Sequence, residues 1–414
     1  MEAHQVSVTH RPDRRVAVVG AGGAVAALTA VGVTDILELD ADRVVRSAFD
    51  EASSTWSLRT ATGEVVRARV VITARDALLV PWVPQLAGRH LFGGLSLSAA
   101  GWDPDFDPAG KRIAFIGADS TAGHHIGRLA RSAAVTVFAY APRRMVAELP
   151  LPSTRAKRWL GRRLRPGATG GPPGPTLVRS AISTMTASGI RTRDGVDHPA
   201  DAVVYGTGFA IAGRVADEAL VGAGGSTIRQ AWNDGMEPYF GVAVHGFPNY
   251  FVLGGPDTGA QARYVAQCVR LLGESGENRI EVRHSSQQVF NERVYVRDAQ
   301  PHPVPRAFTL STGCAREQRE SYDGAATLTL AGVPHPVRVR LAGRLDPIDG
   351  RYHWQGTVFG SPSQPLPDHA LRRARTATLT VGERSAPTRI IEKTPWGTHS
   401  IAGVGNPPYP LGGG

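Results

Sequence analysis

Two short glycine-rich turns, each between an apolar run and a helix-forming stretch, are where this chain could hold an anionic ligand. The first reads Gly20-Ala21-Gly22-Gly23-Ala24-Val25. A dinucleotide pyrophosphate asks for glycine first to make the tight turn and glycine second so that backbone can meet phosphate. The third position must be small, so that the helix packs closely on the strand. Gly20 and Gly22 meet the first two demands, while Val25 at the third is expected to push helix and strand apart. Asp40 is placed at the end of the next strand to accept a ribose hydroxyl. A structural turn without a ligand is the alternative. The second turn is Gly117-Ala118-Asp119-Ser120-Thr121-Ala122. Asp119 falls where bare backbone should face phosphate, and its carboxylate adds bulk and repulsion there. Gly117 and Ser120 could still touch a cofactor; the alternative is that Asp119 or Ser120 caps the helix.

Other reactive side chains give weaker patterns. His124 and His125 are adjacent on an expected helix and cannot both face one metal, and no Cys/His cluster has ligand spacing, so no metal is expected. Arg155, Arg158, Arg162 and Arg165 share one face of a second expected helix. A solvated face is the ordinary meaning, and contact with an anionic ligand or membrane surface is the sharper one. Leu345–Trp354 holds Arg351, His353 and Trp354 after an Asp-Gly turn. Those residues read either as buried aromatics or as a binding surface.

The elements that must position these residues follow from pattern. Arg14–Gly20 reads as a buried parallel strand, followed by a helix to about Val31 and a strand over Thr34–Asp40. Val44–Phe49, Thr55–Thr60 and Val65–Thr73 form a β-branched meander. Residues 77–110 are expected to cross the surface without regular structure. Lys111–Gly117, Ser120–Arg131 and Val135–Tyr140 repeat the strand–helix–strand theme, so a second nucleotide-type unit covers about 111–140. Residues 166–175 make a break, Ala202–Gly208 a buried strand, Tyr250–Gly254 another, and Gln261–Leu272 a helix. The expected organisation is an α/β region over 14–272, a polar linker with some local strands over 273–320, and an antiparallel β domain over 321–410. The tail from Asn406 is expected to be disordered.

Composition fits an ordinary globular chain of 414 residues, with 42% apolar and 20% charged residues. The formal charge of +10 comes from arginine, since Lys111, Lys157 and Lys393 are the only lysines. That bias looks genomic, and no aromatic interleaving or reading motif accompanies it, so nucleic acid is not an expected partner. No apolar run is long enough to span a membrane, and the N-terminus lacks a signal-peptide core. With only Cys268 and Cys314, a disulfide framework is not expected and the cytoplasm is the default location. No pattern fixes an oligomeric state.

Between the two turns lies Phe92-Gly93-Gly94-Leu95-Ser96-Leu97-Ser98-Ala99-Ala100-Gly101-Trp102-Asp103. This stretch resembles the fingerprint of the flavin-dependent Baeyer–Villiger monooxygenases. Phe92, Gly94, Trp102 and Asp103 match it, and Ser98 stands at its histidine. Lys111–Gly117, Asp201–Phe209 and His245–Gly259 resemble the same family in the same order, so the likeness covers roughly residues 14–272. The resemblance implies a shortened Rossmann-like FAD/NAD(P)-binding fold and an FAD- and NADP-dependent oxidoreductase, a flavoprotein that oxygenates a small molecule. It also implies departures. Asp40 runs straight into the meander, so the flavin cover is missing. The Ala-Thr-Gly corner has become Ala74-Arg75-Asp76. The base for the NADP 2′-phosphate has become Tyr140, with Arg143 nearby as the remaining cation. The flavin-side loop after Gly259 is also lost. The last region, about 322–410, resembles an uncharacterised β domain appended to actinobacterial monooxygenase-like proteins.

The expectation is therefore a monooxygenase-like scaffold with eroded sites, FAD held weakly if at all, NADP doubtful, and redox activity weak or lost. The alternative is a non-redox pseudoenzyme, binding protein, or cyclase or isomerase that reuses the cleft for a small molecule. Trp102 is expected to position domains and not to do chemistry.

Overall fold

The computed structural model describes residues 14–21, 23–141, 143, 174–312, 320–345, 350–359, 371, 376–393 and 399–410. The chain divides between Gly313 and Cys314 into two compact units. Gly22, the arginine-rich stretch 155–165, the break up to 173 and the turn 346–349 lie outside the described residues.

The first unit opens with β1 (Arg14–Val19), α1 (Gly23–Ala30) and β2 (Ile36–Leu39). Val16–Val19 are all buried, as expected of a parallel strand covered on both faces. The meander follows as β3 (Val44–Asp50), β4 (Thr55–Thr60) and β5 (Val65–Ala74), and β5 runs parallel to β1. A second, wholly parallel sheet is built from β6 (Leu95–Ser98), β7 (Arg112–Gly117), β8 (Ala134–Phe138), β9 (Thr176–Val178) and β10 (Ala202–Gly206). Its order is β9–β8–β7–β10–β6, with α2 (Ser120–Leu129) following β7. β11 (Tyr250–Leu253) pairs with the C-terminal half of β5, and α3 (Thr258–Glu274) packs against α1. The C-terminal ends of β1, β5 and β11 thus meet at one edge of the first sheet, where α/β proteins usually place a ligand crevice.

Two stretches differ from their sequence reading. Within 77–110, Leu95–Ser98 is the edge strand β6, parallel to β10. Its Leu-Ser-Leu-Ser alternation is too short and half-exposed to stand out from the surrounding loop. Within 273–320, β12 (Arg279–Val282) pairs antiparallel with β13 (Phe308–Ser311), and α4 (His284–Asn291) lies between them. Ile280, Val282, Phe290 and Phe308 are buried in the same core as Leu28 of α1 and Val265 of α3. The stretch looked like a linker because each of its elements is short and polar on one face.

The second unit is a closed antiparallel barrel of β14 (Glu320–Leu330), β15 (Val333–Leu345), β16 (Tyr352–Phe359), β17 (Thr376–Val381), β18 (Arg384–Lys393) and β19 (His399–Val404). The strand order is β14–β15–β16–β19–β18–β17, with β17 returning to β14. Alternate residues point inward, among them Leu328, Val339, Leu341, Trp354, Val358, Leu379 and Ile401. Trp354 fills this interior, in line with the plainer reading of its stretch, whereas Arg351 is exposed. The tail from Asn406 was expected to be disordered, yet Tyr409 is buried in this core and its ring stacks on Tyr322, with centroids 6.2 Å apart. Closure over an aromatic pair, not local propensity, fixes that segment.

Candidate functional site

The N-terminus of α2 is the second glycine turn, and it is filled by the chain's own carboxylates. Gly117 has φ 77°, and a Cβ there would lie 2.4 Å from the Gly206 carbonyl oxygen. Glycine is therefore required by the neighbouring strand, whether or not a ligand is present. Asp119 is buried and serves as N-cap: one oxygen accepts from the Ala122 N–H at 2.8 Å, the other from the Gly208 N–H at 2.9 Å. Glu237 comes from a distant loop and is also fully buried. Its carboxylate accepts from the Ser120 N–H at 3.2 and 3.3 Å and from the Ser120 hydroxyl at 2.6 Å. Arg143 donates to the same group at 2.8 Å. A helix N-terminus favours an anion, and here the anion is internal. Burial pushes the Glu237 carboxyl up and Asp119 adds to this, while Arg143 and the Ser120 donors pull it down; the balance is upward.

The segment between α4 and β13 roofs this turn. Asn291 of α4 accepts from the Glu237 N–H at 2.8 Å and donates to its carbonyl at 2.9 Å. The Arg293 carbonyl accepts from Arg143 at 3.1 Å, and the Tyr295 N–H donates to the Ala118 carbonyl at 2.9 Å. Arg143 was a cofactor candidate in the sequence; instead its guanidinium is almost wholly buried in this network. Ser120 is brought together with it around Glu237, while Gly117 packs against Gly206 of the neighbouring strand.

The first turn is more open. Gly20 has φ 63° and keeps the left-handed turn, and a Cβ there would meet the Ala41 Cβ at 2.7 Å. Asp40 is exposed and paired with Arg43 at 3.1 Å. Val25 does not stand between helix and strand as an obstacle; it is half-buried against the core shared by α1 and α3.

Along α2, which follows the second turn, lie two cavities that share His124 and Pro256. The larger, about 540 Å³, is lined by residues that include Arg75, Trp102, Phe106, His125 and Arg128. The smaller, about 300 Å³, borders the start of α3 and holds Ser120, Gln261, Arg263 and Asp298. His124 Nδ1 lies 2.9 Å from Asp298, and His125 Nδ1 lies 3.2 Å from Arg128. Because arginine can only donate, His125 accepts at Nδ1 and carries its proton on Nε2. Among the described residues no group of three or more His, Cys, Asp or Glu side chains is arranged to hold a metal.

Residues 319–411 match a family described as a domain of unknown function (DUF4873). The chain is 61% identical over 329 residues to the uncharacterized protein Rv0943c of Mycobacterium tuberculosis, which covers 78% of this chain and 92% of that one. A Baeyer–Villiger monooxygenase of Streptomyces coelicolor is 27% identical over 347 residues, 64% of this chain and 66% of its own length. The chain belongs to the family of the mycobacterial protein and is distantly similar to the Baeyer–Villiger monooxygenases. Among solved structures, cyclohexanone monooxygenase from Rhodococcus sp. Phi1 bound to NADP+ aligns at 17% identity with a TM-score of 0.36, over 68% of this chain and 88% of that one.

The Baeyer–Villiger fingerprint positions hold structure here. Phe92 packs on the second sheet's core and closes over Gly94, where a Cβ would fall 2.6 Å from the Phe92 ring. Ser98, at the histidine position, accepts from the Ala100 N–H at 3.3 Å and caps a short helical turn. Trp102 stacks on His125 with centroids 4.7 Å apart and meets Phe106 edge-on at 5.5 Å. Asp103 accepts from the Asp105 N–H at 2.9 Å in an exposed turn. Sequence reading missed Glu237 and the His124–Asp298 and His125–Trp102 pairs. A lone acid inside the apolar run Met236-Glu237-Pro238-Tyr239-Phe240 was the available signal for the first.

Proposed function

We propose that the chain is a monooxygenase-like scaffold whose redox chemistry is weak or lost, and that its cleft now serves a small molecule without NADP. The Glu237 carboxylate on the α2 N-terminus carries this reading. A pyrophosphate brought to the same N–H groups would face two buried carboxylates, Glu237 and Asp119, in a region of low dielectric. It would also have to displace Arg143 from its partner, and breaking a buried pair in this way costs about 3–5 kcal/mol. These residues do not fit NADP. For FAD the fit is partial: Gly20 keeps the turn, while Asp40 is engaged by Arg43. Oxygenation needs a flavin peroxide shielded from water, and the missing cover removes that shield. The family's ordinary redox activity with loosely held FAD is the second reading, supported by the Gly20 turn.

A cytoplasmic location belongs to the same proposal and rests on the scarcity of cysteine, Cys268 and Cys314 being the only two in the sequence. No helix among the described residues is long and apolar enough to cross a membrane.

The visible spectrum of the freshly purified chain, followed by calorimetric titration with NADPH, tests this. We expect little or no flavin absorbance and no NADPH binding tighter than millimolar. Stoichiometric FAD with coupled NADPH consumption and an oxygenated product would overturn the reading.

A further inference from the structure

The larger cavity has an unbalanced wall. Arg75, Arg128, His124 and His125 line it, and no aspartate or glutamate does so among the described residues. Arg75 stands at the C-terminal end of β5, with its side chain only 12% exposed. Its guanidinium lies over the Phe209 ring at 4.9 Å, and its Nε reaches the exposed Asp76 at 3.3 Å. Neither terminal nitrogen has a partner among the described residues. Arg128 donates to His125 Nδ1 and makes no ion pair among the described residues. His125 offers Arg128 no charge, because burial and its cationic neighbours hold its pKa down to about 4. Asp298 engages His124 but lines the adjoining cavity, not this one.

The open fork is not among the buried unpartnered groups, so it is free to meet a planar anion, and carboxylate fits it with two parallel hydrogen bonds. Apart from Thr121 and Ser132, the rest of the wall is mostly apolar or aromatic, with Trp102, Phe106 and Leu129 prominent. A volume of about 540 Å³ lies in the range of small-molecule sites. We propose that this cavity binds a small organic acid with an aromatic or alicyclic body, its carboxylate on Arg75, its ring against Trp102 and Phe106, and Arg128 adding positive charge at the rim. This site goes beyond the loss of NADP binding and does not rest on it, since an acid at Arg75 needs neither cofactor.

The test is calorimetric titration of the full chain with naphthalene-1-carboxylate, the uncharged naphthalene-1-carboxamide, and inorganic pyrophosphate, with indole N–H NMR to follow Trp102. The carboxylate is expected to bind and to move the Trp102 signal, with the amide about tenfold weaker or worse. Arg75→Gln and Arg128→Gln should each weaken the carboxylate. Arg128 is exposed, so its variant keeps the comparison valid even if Arg75→Gln folds poorly. No binding of the carboxylate at millimolar concentration overturns the proposal, as does equal binding of the amide or an unchanged affinity in Arg128→Gln. Competition by pyrophosphate would make this a phosphate site and overturn it as well.

Discussion

His125 sits between Trp102 and Arg128 with almost no access to water, and every neighbour except the distant Asp298 and the Ala99 backbone opposes its protonation. Burial is the largest cause of its low pKa, with the charges of His124 and Arg128 next, and together they bring it to about 4. In the unfolded chain the same ring titrates near its ordinary value of about 6.5. Between these values the unfolded state takes up a proton that the folded state refuses. The contribution of His125 to stability is therefore complete above about pH 6.5 and is lost as pH falls toward 4. Thermal melts across that window should show a falling midpoint, and His125→Asn should flatten the fall. An equal slope in the variant would assign it to other groups. Glu237 has the opposite sign, because burial raises its pKa and favours proton uptake by the folded state, so the difference between the two proteins isolates the imidazole. The glycine turns, Asp40 and the histidine pair were legible in the sequence because each is a local pattern. Glu237 was not, since its partners Ser120 and Arg143 lie 117 and 94 positions away.

Strands and helices were legible where the pattern was long or buried on both faces, as in β1, β7 and β10, and lost where an element is short and polar on one face. β12 and α4 are the instructive cases. Their apolar residues complete the core of α1 and α3, and Asn291 of α4 holds the Glu237 backbone in place. An apparent linker thus positions the acid that fills the α2 N-terminus. In the barrel, alternation made the strands readable, but not how closely they pass. At Gly356 in β16, a Cβ would stand 1.9 Å from the Arg340 carbonyl oxygen of β15. Backbone cannot retreat there without breaking the ladder that pairs Gly356 with Leu341. Gly356→Ala is expected to cost at least about 1–3 kcal/mol in a thermal or urea melt, as overpacking does. Gly213→Ala has open space around it and should cost far less. Similar losses from both would mean that the crowding at Gly356 is relieved by a small shift.

At the scale of the whole molecule, the two units have separate cores. The barrel's buried cluster runs from Leu328 to Tyr409 and includes no residue of the first unit. The boundary at Cys314 falls within a few residues of the family match at 319–411. A closed barrel leaves no open sheet edge to pair with another chain, which removes the usual reason for an excised β domain to aggregate. A chain of this size is near the lower range in which one apolar core suffices, so little of that core can be spared. We therefore expect residues 318–410, expressed alone, to be soluble and to melt cooperatively. The same fragment stopped at Gly405 loses Tyr409, and with it the ring stacked on Tyr322 and the hydroxyl 3.4 Å from that of Tyr352. Its melting midpoint should drop, because deleting a buried aromatic costs about 3–5 kcal/mol. Aggregation of the longer fragment would show that the barrel needs the rest of the chain. Equal midpoints for the two fragments would show that the tail only rests on a core already complete.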